Sequence, residues 1–331
     1  MNNTENNVVA VGPMGSGKTM YLVGIYNMFS RILGEFTISS LKADGEKHFL
    51  TECWENLISG IFFPDVTDCI VKYDLCLSHC YRPLLDFGYI DCPGMYFKEY
   101  DDRYFVDREL MKIRVDSTSC LLIFIDGSRF VREIEDEIKR YHILGLNAST
   151  LGISKVICER TLREIGRILR HFVGIEVSLP AIGIVFANSD ILFDGSYDKI
   201  ELYKQSVHHI ARYICERLHS GMVFPTTVSM GRCIEKEFLV SPVNIELPIL
   251  FAVLCIFKKF ISRINIYTSN SYHDKDKMGV YKKLNVALLS IKRFLQRKPS
   301  ILYMRSNGKV EENTLSNYAD KILADLDNLF L

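Results

Sequence analysis

The feature that most constrains the fold of this chain lies near its N-terminus, where residues 12–19 read Gly-Pro-Met-Gly-Ser-Gly-Lys-Thr. These residues fill every fixed position of the phosphate-loop pattern G-x-x-x-x-G-K-[S/T]. A short apolar run at 8–11 precedes the loop, and apolar residues recur at helical spacing after it. A strand, a glycine-rich turn and a helix N-terminus in this order direct backbone N–H groups at a polyphosphate. The sequence therefore predicts a strand–loop–helix unit that binds a nucleoside triphosphate.

Two side chains of the loop have chemistry of their own. The Lys18 ammonium is expected to reach the terminal phosphates and to take part in both binding and catalysis. The Thr19 hydroxyl is expected to ligate Mg²⁺. The residues predicted to hold the nucleotide at this loop are Gly12, Met14, Gly15, Ser16, Gly17, Lys18, Thr19 and Met20.

The apolar pattern further along the chain predicts the rest of the sheet. Alternating apolar and polar residues indicate a strand with one wet face, which a turn joins to a second, antiparallel strand. Later runs are continuously apolar, as is typical of central parallel strands covered on both faces. The fold class predicted is α/β, a doubly wound and mostly parallel six-stranded sheet with one antiparallel edge strand. We place the strands at 8–11, 71–78, 84–90, 120–125, 182–187 and 223–228.

Amphipathic helical segments occur in addition to this minimal plan. We predict a phosphate-loop domain at 1–265, with helical insertions at about 34–66 and 129–178. The acidic residues at 133–137 are expected to form a solvated helix face. A polar linker then leads to two more helices, so we predict a C-terminal helical extension at 266–331.

Composition limits the classes of partner. The 40 basic and 40 acidic residues give a formal net charge of zero, so no long-range field favours nucleic acid or an anionic membrane. Ten cysteines occur without a C-x-x-C pair, which is typical of a reducing cytoplasm rather than of a disulfide scaffold. The longest apolar run, at 247–257, is too short to span a bilayer. We therefore predict a cytoplasmic protein with no transmembrane segment and no nucleic-acid partner.

A second motif closes the predicted hairpin, where residues 91–94 read Asp-Cys-Pro-Gly. An aspartate at the end of a strand beside a phosphate loop can hold Mg²⁺, usually through water, and a nearby glycine lets its N–H approach the terminal phosphate. We predict Asp91 as a metal ligand and Gly94 as a catalytic residue. Thr67 is placed to close over the metal and the terminal phosphate, as a further metal ligand and catalytic residue. The alternative, that Thr67 only begins a strand, stays open.

This layout resembles the Ras-like branch of the translation-factor-related GTPases over about 8–263. In that family an antiparallel strand lies between a first-switch threonine and a D-x-x-G second switch, and Thr67 and 91–94 match these positions. The resemblance implies that GTP or GDP binds together with Mg²⁺. It also implies that Asp190 pairs with N1 and N2 of guanine and that Ser229 supports the base.

Two short segments carry a narrower resemblance. Residues 17–22, together with Pro64-x-x-Thr67, resemble the double-GTPase group found in bacterial conflict gene clusters. This narrower resemblance implies a role in a bacterial defence system.

The base-recognition motif departs from the pattern of the family. Where N-K-x-D is expected, residues 187–190 read Ala-Asn-Ser-Asp, so the asparagine and the base-stacking lysine are both replaced. Asn188 and Asp190 are still predicted to contact the base. The preference for guanine then rests mainly on Asp190, and adenine stays open.

Two methionines alter the hydrolytic machinery that the resemblance implies. Met95 stands where Ras-like enzymes place a glutamine that orients water, and Met14 stands where they have a glycine. The usual geometry of a glutamine and an inserted arginine is therefore not intact. If hydrolysis occurs, another group must position the attacking water, and the candidates are Tyr96, Lys98, Arg82 or a residue of a partner.

These observations define three hypotheses of function. The favoured one is a GTP-binding molecular switch with slow, Mg²⁺-dependent hydrolysis of GTP to GDP and phosphate, coupled to a protein effector or activator. A second is a non-hydrolysing scaffold in which the nucleotide is a structural ligand. A third is an ATP-using phosphate-loop NTPase.

Overall fold

The described part of the chain has a mixed α/β architecture, in which helices pack on a nine-stranded sheet. The structure is a computed structural model, and it describes residues 6–42, 45–60, 68–97, 118–144, 155–173, 180–188, 197–217, 221–234, 237–267, 274–298, 300–306 and 308–330. Two predicted site residues, Thr67 and Asp190, lie outside the described residues, as does Lys98.

Five parallel strands make the middle of the main sheet, and two antiparallel strands extend it on each side. The strands of this sheet are β1 (Asn7–Val11), β2 (Phe36–Ser40), β3 (Val71–His79), β4 (Arg82–Asp91), β5 (Thr118–Asp126), β6 (Ala181–Ala187), β7 (Met222–Thr227), β10 (Ile301–Ser306) and β11 (Lys309–Thr314). A separate hairpin consists of β8 (Ser229–Ile234) and β9 (Glu237–Val243). The spatial order of the main sheet is β11-β10-β7-β6-β5-β1-β4-β3-β2.

The described helices fall into two layers, one on each face of this sheet. They are α1 (Lys18–Leu33), α2 (Gly45–Ile58), α3 (Gly127–Ile143), α4 (Lys155–Val173), α5 (Tyr197–Arg217), α6 (Glu246–Tyr267), α7 (Asp274–Leu295) and α8 (Leu315–Phe330). One apolar cluster joins the sheet to α1, α2, α6, α7 and α8, and the other joins it to α3, α4 and α5. The doubly wound α/β prediction is confirmed.

The central strands are buried on both faces, as their continuous apolar runs predict. In β1, Val8 and Ala10 belong to the cluster on the α1 side, whereas Val9 and Val11 belong to the cluster on the α3 side. The same alternation holds along β5. Both faces of these strands are therefore covered by helices.

The strand register brings the ends of β1 and β4 together, with β5 on the other side of β1. In the parallel pairing, Ala10 lies opposite Asp91 of β4 and also opposite Leu122 of β5. The loop after β1 therefore begins beside the end of β4. Ligand sites of α/β folds occur at this carboxyl edge of the parallel strands.

The predicted number of six strands is wrong, because short strands extend the sheet at both sides. The antiparallel strand expected at the edge, β3, is interior, since β2 pairs with it. β2 lies in the 34–66 segment that was predicted to be helical, which contains both β2 and α2. A strand of five residues offers too short a pattern to separate it from a loop.

The opposite side of the sheet comes from the C-terminal part of the chain. The two predicted C-terminal helices are present as α7 and α8, and between them lies the hairpin of β10 and β11, which the sequence did not predict. β10 pairs with β7, so the hairpin continues the sheet. β11 reads Lys-Val-Glu-Glu-Asn-Thr, a polar sequence that suits an exposed sheet edge and hides a strand from pattern analysis.

None of the helices in the described part of the chain combines the length and the apolar character needed to cross a membrane.

Candidate functional site

The backbone of the predicted phosphate loop is curved between β1 and α1. Gly15 and Gly17 have φ of 78° and 86°, a left-handed conformation that side-chain-bearing residues rarely adopt. The Ser16 N–H donates to the Pro13 carbonyl at 3.2 Å, and Gly17 is the N-terminal cap of α1. The loop is held against β5, because a Cβ atom on Gly12 would lie 2.4 Å from the Phe124 carbonyl oxygen. The glycines of the loop therefore occupy positions where the backbone conformation or the lack of space disfavours a side chain.

The Lys18 side chain folds back over this loop. Its Nζ atom donates to the carbonyl oxygens of Gly12 at 2.8 Å and of Pro13 at 3.0 Å. Burial lowers the pKa of Lys18, while the nearby negative charge of Asp91 opposes that shift. A buried ammonium held by neutral carbonyl acceptors is a favourable partner for an anion, since the hydrogen bonds to a phosphate oxygen carry charge on both partners and are stronger.

Thr19 and Asp91, the two candidate metal ligands that the structure describes, are hydrogen-bonded to each other. The Thr19 hydroxyl donates to Asp91 Oδ2 at 2.6 Å, although the two residues are 72 positions apart. Asp91 is fully buried and is fixed by the β1–β4 register, which the Cys92 N–H continues by donating to the Ala10 carbonyl at 3.0 Å. A hydroxyl and a carboxylate oxygen are ligands that Mg²⁺ prefers, so this pair fits the predicted ion. Met20, next along α1, packs its side chain on the apolar layer.

Gly94 lies directly on the phosphate loop. A Cβ atom at this position would be 2.2 Å from the backbone nitrogen of Met14 and 2.6 Å from the carbonyl carbon of Pro13. Only glycine allows this approach, and the 3₁₀ turn Gly94–Phe97 begins here. The D-x-x-G segment and the loop therefore share one wall of the site.

The two methionines are at the surface of this region. Met14 is 51% exposed and Met95 is 38% exposed, so neither is part of an apolar core. Of the other candidates for positioning water, Tyr96 lies in the Gly94–Phe97 turn. The proposal for Arg82 is wrong. Arg82 is the first residue of β4 and Asp91 is the last, and a strand of this length separates the two residues by roughly 30 Å.

Of the predicted base-binding residues, Asn188 approaches the loop. Its amide atoms are 3.6 Å from the position that a Cβ atom on Gly17 would take, and its own φ of 56° is left-handed. Ser229 is buried at the start of β8, where its hydroxyl accepts a hydrogen bond from the Gly231 N–H at 3.2 Å. The structure thus places Asn188 beside the predicted phosphate loop. The Ser229 side chain is hydrogen-bonded within its own hairpin.

A cavity of about 70 Å³ adjoins the loop on the side away from β4. Pro13 and Met14 form one wall, and side chains of α3 and α4 form another. The residues contributed by these two helices include Arg129, Glu133, Arg160, Thr161 and Glu164.

One carboxylate organises the charges around this cavity. Glu133 Oε1 accepts from Arg129 Nε at 3.2 Å and from Arg160 Nη1 at 2.9 Å. The expectation of a solvated face is therefore wrong for Glu133, whose side chain is only 22% exposed. Sequence analysis missed the cluster, because Glu133 and Arg160 are 27 residues apart and meet only where α3 packs on α4.

The other acidic groups of the cavity have different surroundings. Asp126 Oδ1 accepts hydrogen bonds from the N–H groups of Ser128 and Arg129 and so caps α3. Burial raises the pKa of Glu164, and the positive charges of Arg129, Arg160 and Arg167 oppose the shift.

Comparisons with known proteins give structural likeness at low identity. No protein-family model and no curated protein sequence matches the chain. Among solved structures, it is similar to nucleolar GTP-binding protein 1 of Plasmodium falciparum, with 12% identity and a TM-score of 0.40 over 81% of this chain and 95% of that one. It is similar to the signal recognition particle receptor SRb-GTP/SRX complex of Chaetomium thermophilum, with 12% identity and a TM-score of 0.38 over 76% and 99% of the two chains.

A third similar structure is the GTP-bound Ski7 GTPase-like domain of S. cerevisiae. Identity is 12% and the TM-score is 0.35, over 77% of this chain and 51% of that one. At these identities and TM-scores, the likeness assigns neither a ligand nor an activity to the chain.

Proposed function

We propose that the chain binds GTP together with Mg²⁺ at the loop of residues 12–19 and acts as a molecular switch with slow hydrolysis. The observation that carries this proposal is the hydrogen bond of 2.6 Å between Thr19 and Asp91. It joins the end of the phosphate loop to the end of β4, as a metal site at a triphosphate requires.

The residues of the loop divide the work of binding. Lys18 exchanges the carbonyl oxygens of Gly12 and Pro13 for phosphate oxygens, and this exchange keeps its buried ammonium paired. The backbone N–H groups at the start of α1 face the phosphates, helped by the helix dipole. Thr19 and Asp91 hold the ion, and bound Mg²⁺ neutralises negative charge on the phosphate oxygens.

The switch itself is proposed for the turn that begins at Gly94. Because Gly94 touches the backbone of Pro13 and Met14, a terminal phosphate arriving over the loop must contact or displace this turn. GDP lacks that phosphate, so the turn responds to the difference between the two nucleotides. The resemblance of residues 17–22 to the double-GTPase group supports a role in bacterial conflict systems, with a protein effector or activator as the partner.

The test is nucleotide binding by the purified protein. Isothermal titration with GTP and ATP in the presence of Mg²⁺ is expected to show tighter binding of GTP. The Lys18→Ala variant is expected to weaken GTP binding by about a hundredfold, since a buried charge-assisted contact is lost. Lys42→Ala is the matched control, because Lys42 is an exposed lysine paired with Glu46 and Asp74.

Two results would contradict the proposal. Equal affinity for ATP and GTP removes the guanine assignment and favours the ATP-using alternative. Unchanged GTP binding by Lys18→Ala removes the site itself.

A non-hydrolysing scaffold is the second candidate function. The observation that favours it is the pair of exposed methionines, Met14 and Met95, which place no polar group at the positions where water would be oriented. Single-turnover release of phosphate from bound GTP separates the two functions. Measurable release supports the switch, whereas tight GTP binding without release supports the scaffold.

A further inference from the structure

The cavity beside the loop has an arrangement that anion binding explains. Pro13 and Met14 belong to the loop, so a group bound in the cavity would contact the segment that is predicted to hold the phosphates. Arg129 and Arg160 line the same cavity from α3 and α4. Guanidinium groups form paired hydrogen bonds with phosphate oxygens and remain charged at any pH that a folded protein meets.

The two arginines are held by one carboxylate. Arg129 and Arg160 both donate to the same Glu133 oxygen, Oε1, at 3.2 Å and 2.9 Å. Their side chains are 42% and 62% exposed, against 22% for Glu133. Exposed arginines can turn away from a surface ion pair at little cost, because such pairs contribute little net free energy.

The remaining acidic groups compete less for these arginines. Asp126 is occupied by the N-terminus of α3, where it accepts from Ser128 and Arg129 backbone N–H groups. Glu164 also lines the cavity, but the described side-chain hydrogen bonds of Arg129 and Arg160 go to Glu133 rather than to Glu164. Glu133 is therefore the carboxylate with which a phosphate would compete for both guanidinium groups.

We propose that Arg129 and Arg160 bind the terminal phosphate of the nucleotide and that Glu133 competes with that phosphate for them. This inference rests on the proposed function and adds a phosphate-binding subsite supplied by α3 and α4. The inference also assigns α4 a role in the proposed switch. A phosphate that draws Arg160 away from Glu133 loosens the contact between α3 and α4, so α4 differs between the triphosphate and diphosphate states.

The experiment measures dissociation constants for GDP and for a non-hydrolysable GTP analogue, with Mg²⁺, by titration calorimetry. For Arg160→Ala we expect the analogue to bind about tenfold more weakly and GDP to change less than about twofold, because GDP lacks the terminal phosphate. Arg160→Lys keeps the charge without the paired geometry, and we expect an intermediate loss. For Glu133→Gln we expect the opposite sign, with the analogue binding about threefold more tightly.

Arg163→Ala is the matched control. Arg163 lies on α4 three residues after Arg160, its side chain is 74% exposed, and it pairs with Glu159 at 4.0 Å. It does not line the cavity. We expect its ratio of analogue to GDP affinity to equal that of the wild type.

The outcomes separate this inference from the proposed function. If the wild type binds both nucleotides and Arg160→Ala, Glu133→Gln and Arg163→Ala all keep its affinity ratio, the arginine subsite is wrong and the proposed function stands. If Glu133→Gln weakens the analogue, competition by Glu133 is wrong. If the wild type binds neither nucleotide, both proposals fall together.

Discussion

The two sides of the phosphate loop are built in different ways. On the β4 side, contacts are made by backbone and by one fully buried carboxylate, with Gly94 against Met14 and Asp91 against Thr19. On the α3–α4 side, contacts are made by the ends of long, partly exposed side chains around Glu133. A backbone contact allows almost no adjustment, whereas a surface ion pair can rearrange within the volume of a small cavity.

The β4 side and the α3–α4 side of the loop are therefore suited to different roles. In the proposed function, the β4 side is the rigid side and would fix where the metal and the phosphates lie, because strand register sets the position of Asp91. The α3–α4 side is the adaptable side and, in the inference drawn above, would respond to the presence or absence of one phosphate. Substitutions on the β4 side should therefore have large effects, and those on the α3–α4 side should have smaller ones.

The largest effect is expected for Gly94→Ala. The new Cβ atom would meet the Met14 nitrogen at 2.2 Å, so the loop or the turn must shift. We expect triphosphate affinity to fall by about a hundredfold and the free energy of unfolding to fall by about 1–3 kcal/mol. Nucleotide titration and urea denaturation measure the two quantities.

Gly166→Ala provides the counterpart on the other side of the loop. Apart from the adjacent backbone of its own helix, no atom of the described residues lies within 4 Å of the position its Cβ would take, and Gly166 is inside α4. We expect alanine there to raise the free energy of unfolding by about 0.5–1 kcal/mol and to leave binding unchanged. Wild-type affinity in Gly94→Ala would break the contrast between the two sides.

A smaller effect, confined to the metal, is expected for Asp91→Asn. Asparagine keeps the size of the side chain and an oxygen for the Thr19 hydroxyl, but it removes the negative charge beside the ion. We expect affinity for a GTP analogue to fall about tenfold in Mg²⁺ and to change little in EDTA. Titrations in the two buffers give both values.

Asp74→Asn controls for the loss of a carboxylate from the neighbouring strand. Asp74 is on β3 and pairs with Lys42 at 3.0 Å, away from the loop. It should leave the Mg²⁺ dependence as it is in the wild type. The metal assignment is wrong if Asp91→Asn retains that same dependence.

The two sides also differ in how well the sequence predicts them. The loop and the aspartate with its following glycine are local patterns, because each depends on backbone geometry that only certain residues allow. Gly17 needs its left-handed φ and Gly94 needs the space above Met14, so both positions can be found from the sequence. The central strands can be found for a similar reason, since burial on both faces leaves continuous apolar runs such as β5.

The elements that escaped prediction depend on distant partners. β2 and β11 are short edge strands whose pairing is set by β3 and β10, and their own residues carry little periodicity. The Arg129–Glu133–Arg160 cluster exists only because α3 and α4 pack together. Sequence spacing predicts the first of the cluster's two ion pairs, Arg129 with Glu133, because these residues are four positions apart on α3. It does not predict the pair of Glu133 with Arg160.

The smallest effect is expected on the adaptable side, for Glu164→Gln. Burial raises the pKa of Glu164 above its usual value of 4.5, so the folded chain holds this proton more tightly than the unfolded chain does. As pH rises from 4.5 to the raised pKa, the unfolded state releases a proton that the folded state keeps, and stability falls. Glutamine cannot ionise and removes this loss.

We therefore expect Glu164→Gln to raise the melting temperature at pH 7 by less than about 3 °C, a gain that shrinks as the pH is lowered toward 4. Arg129, Arg160 and Arg167 face the carboxylate and limit the gain by stabilising its charge. Glu159→Gln, an exposed change on the same helix, is the control for replacing a carboxylate by an amide there. Calorimetric melting across this pH range decides the matter, because a loss of stability at pH 7 would mean that the attraction of Glu164 to the neighbouring arginines outweighs the cost of its burial. The α3–α4 side would then be as firmly fixed by its charges as the β4 side is by its backbone.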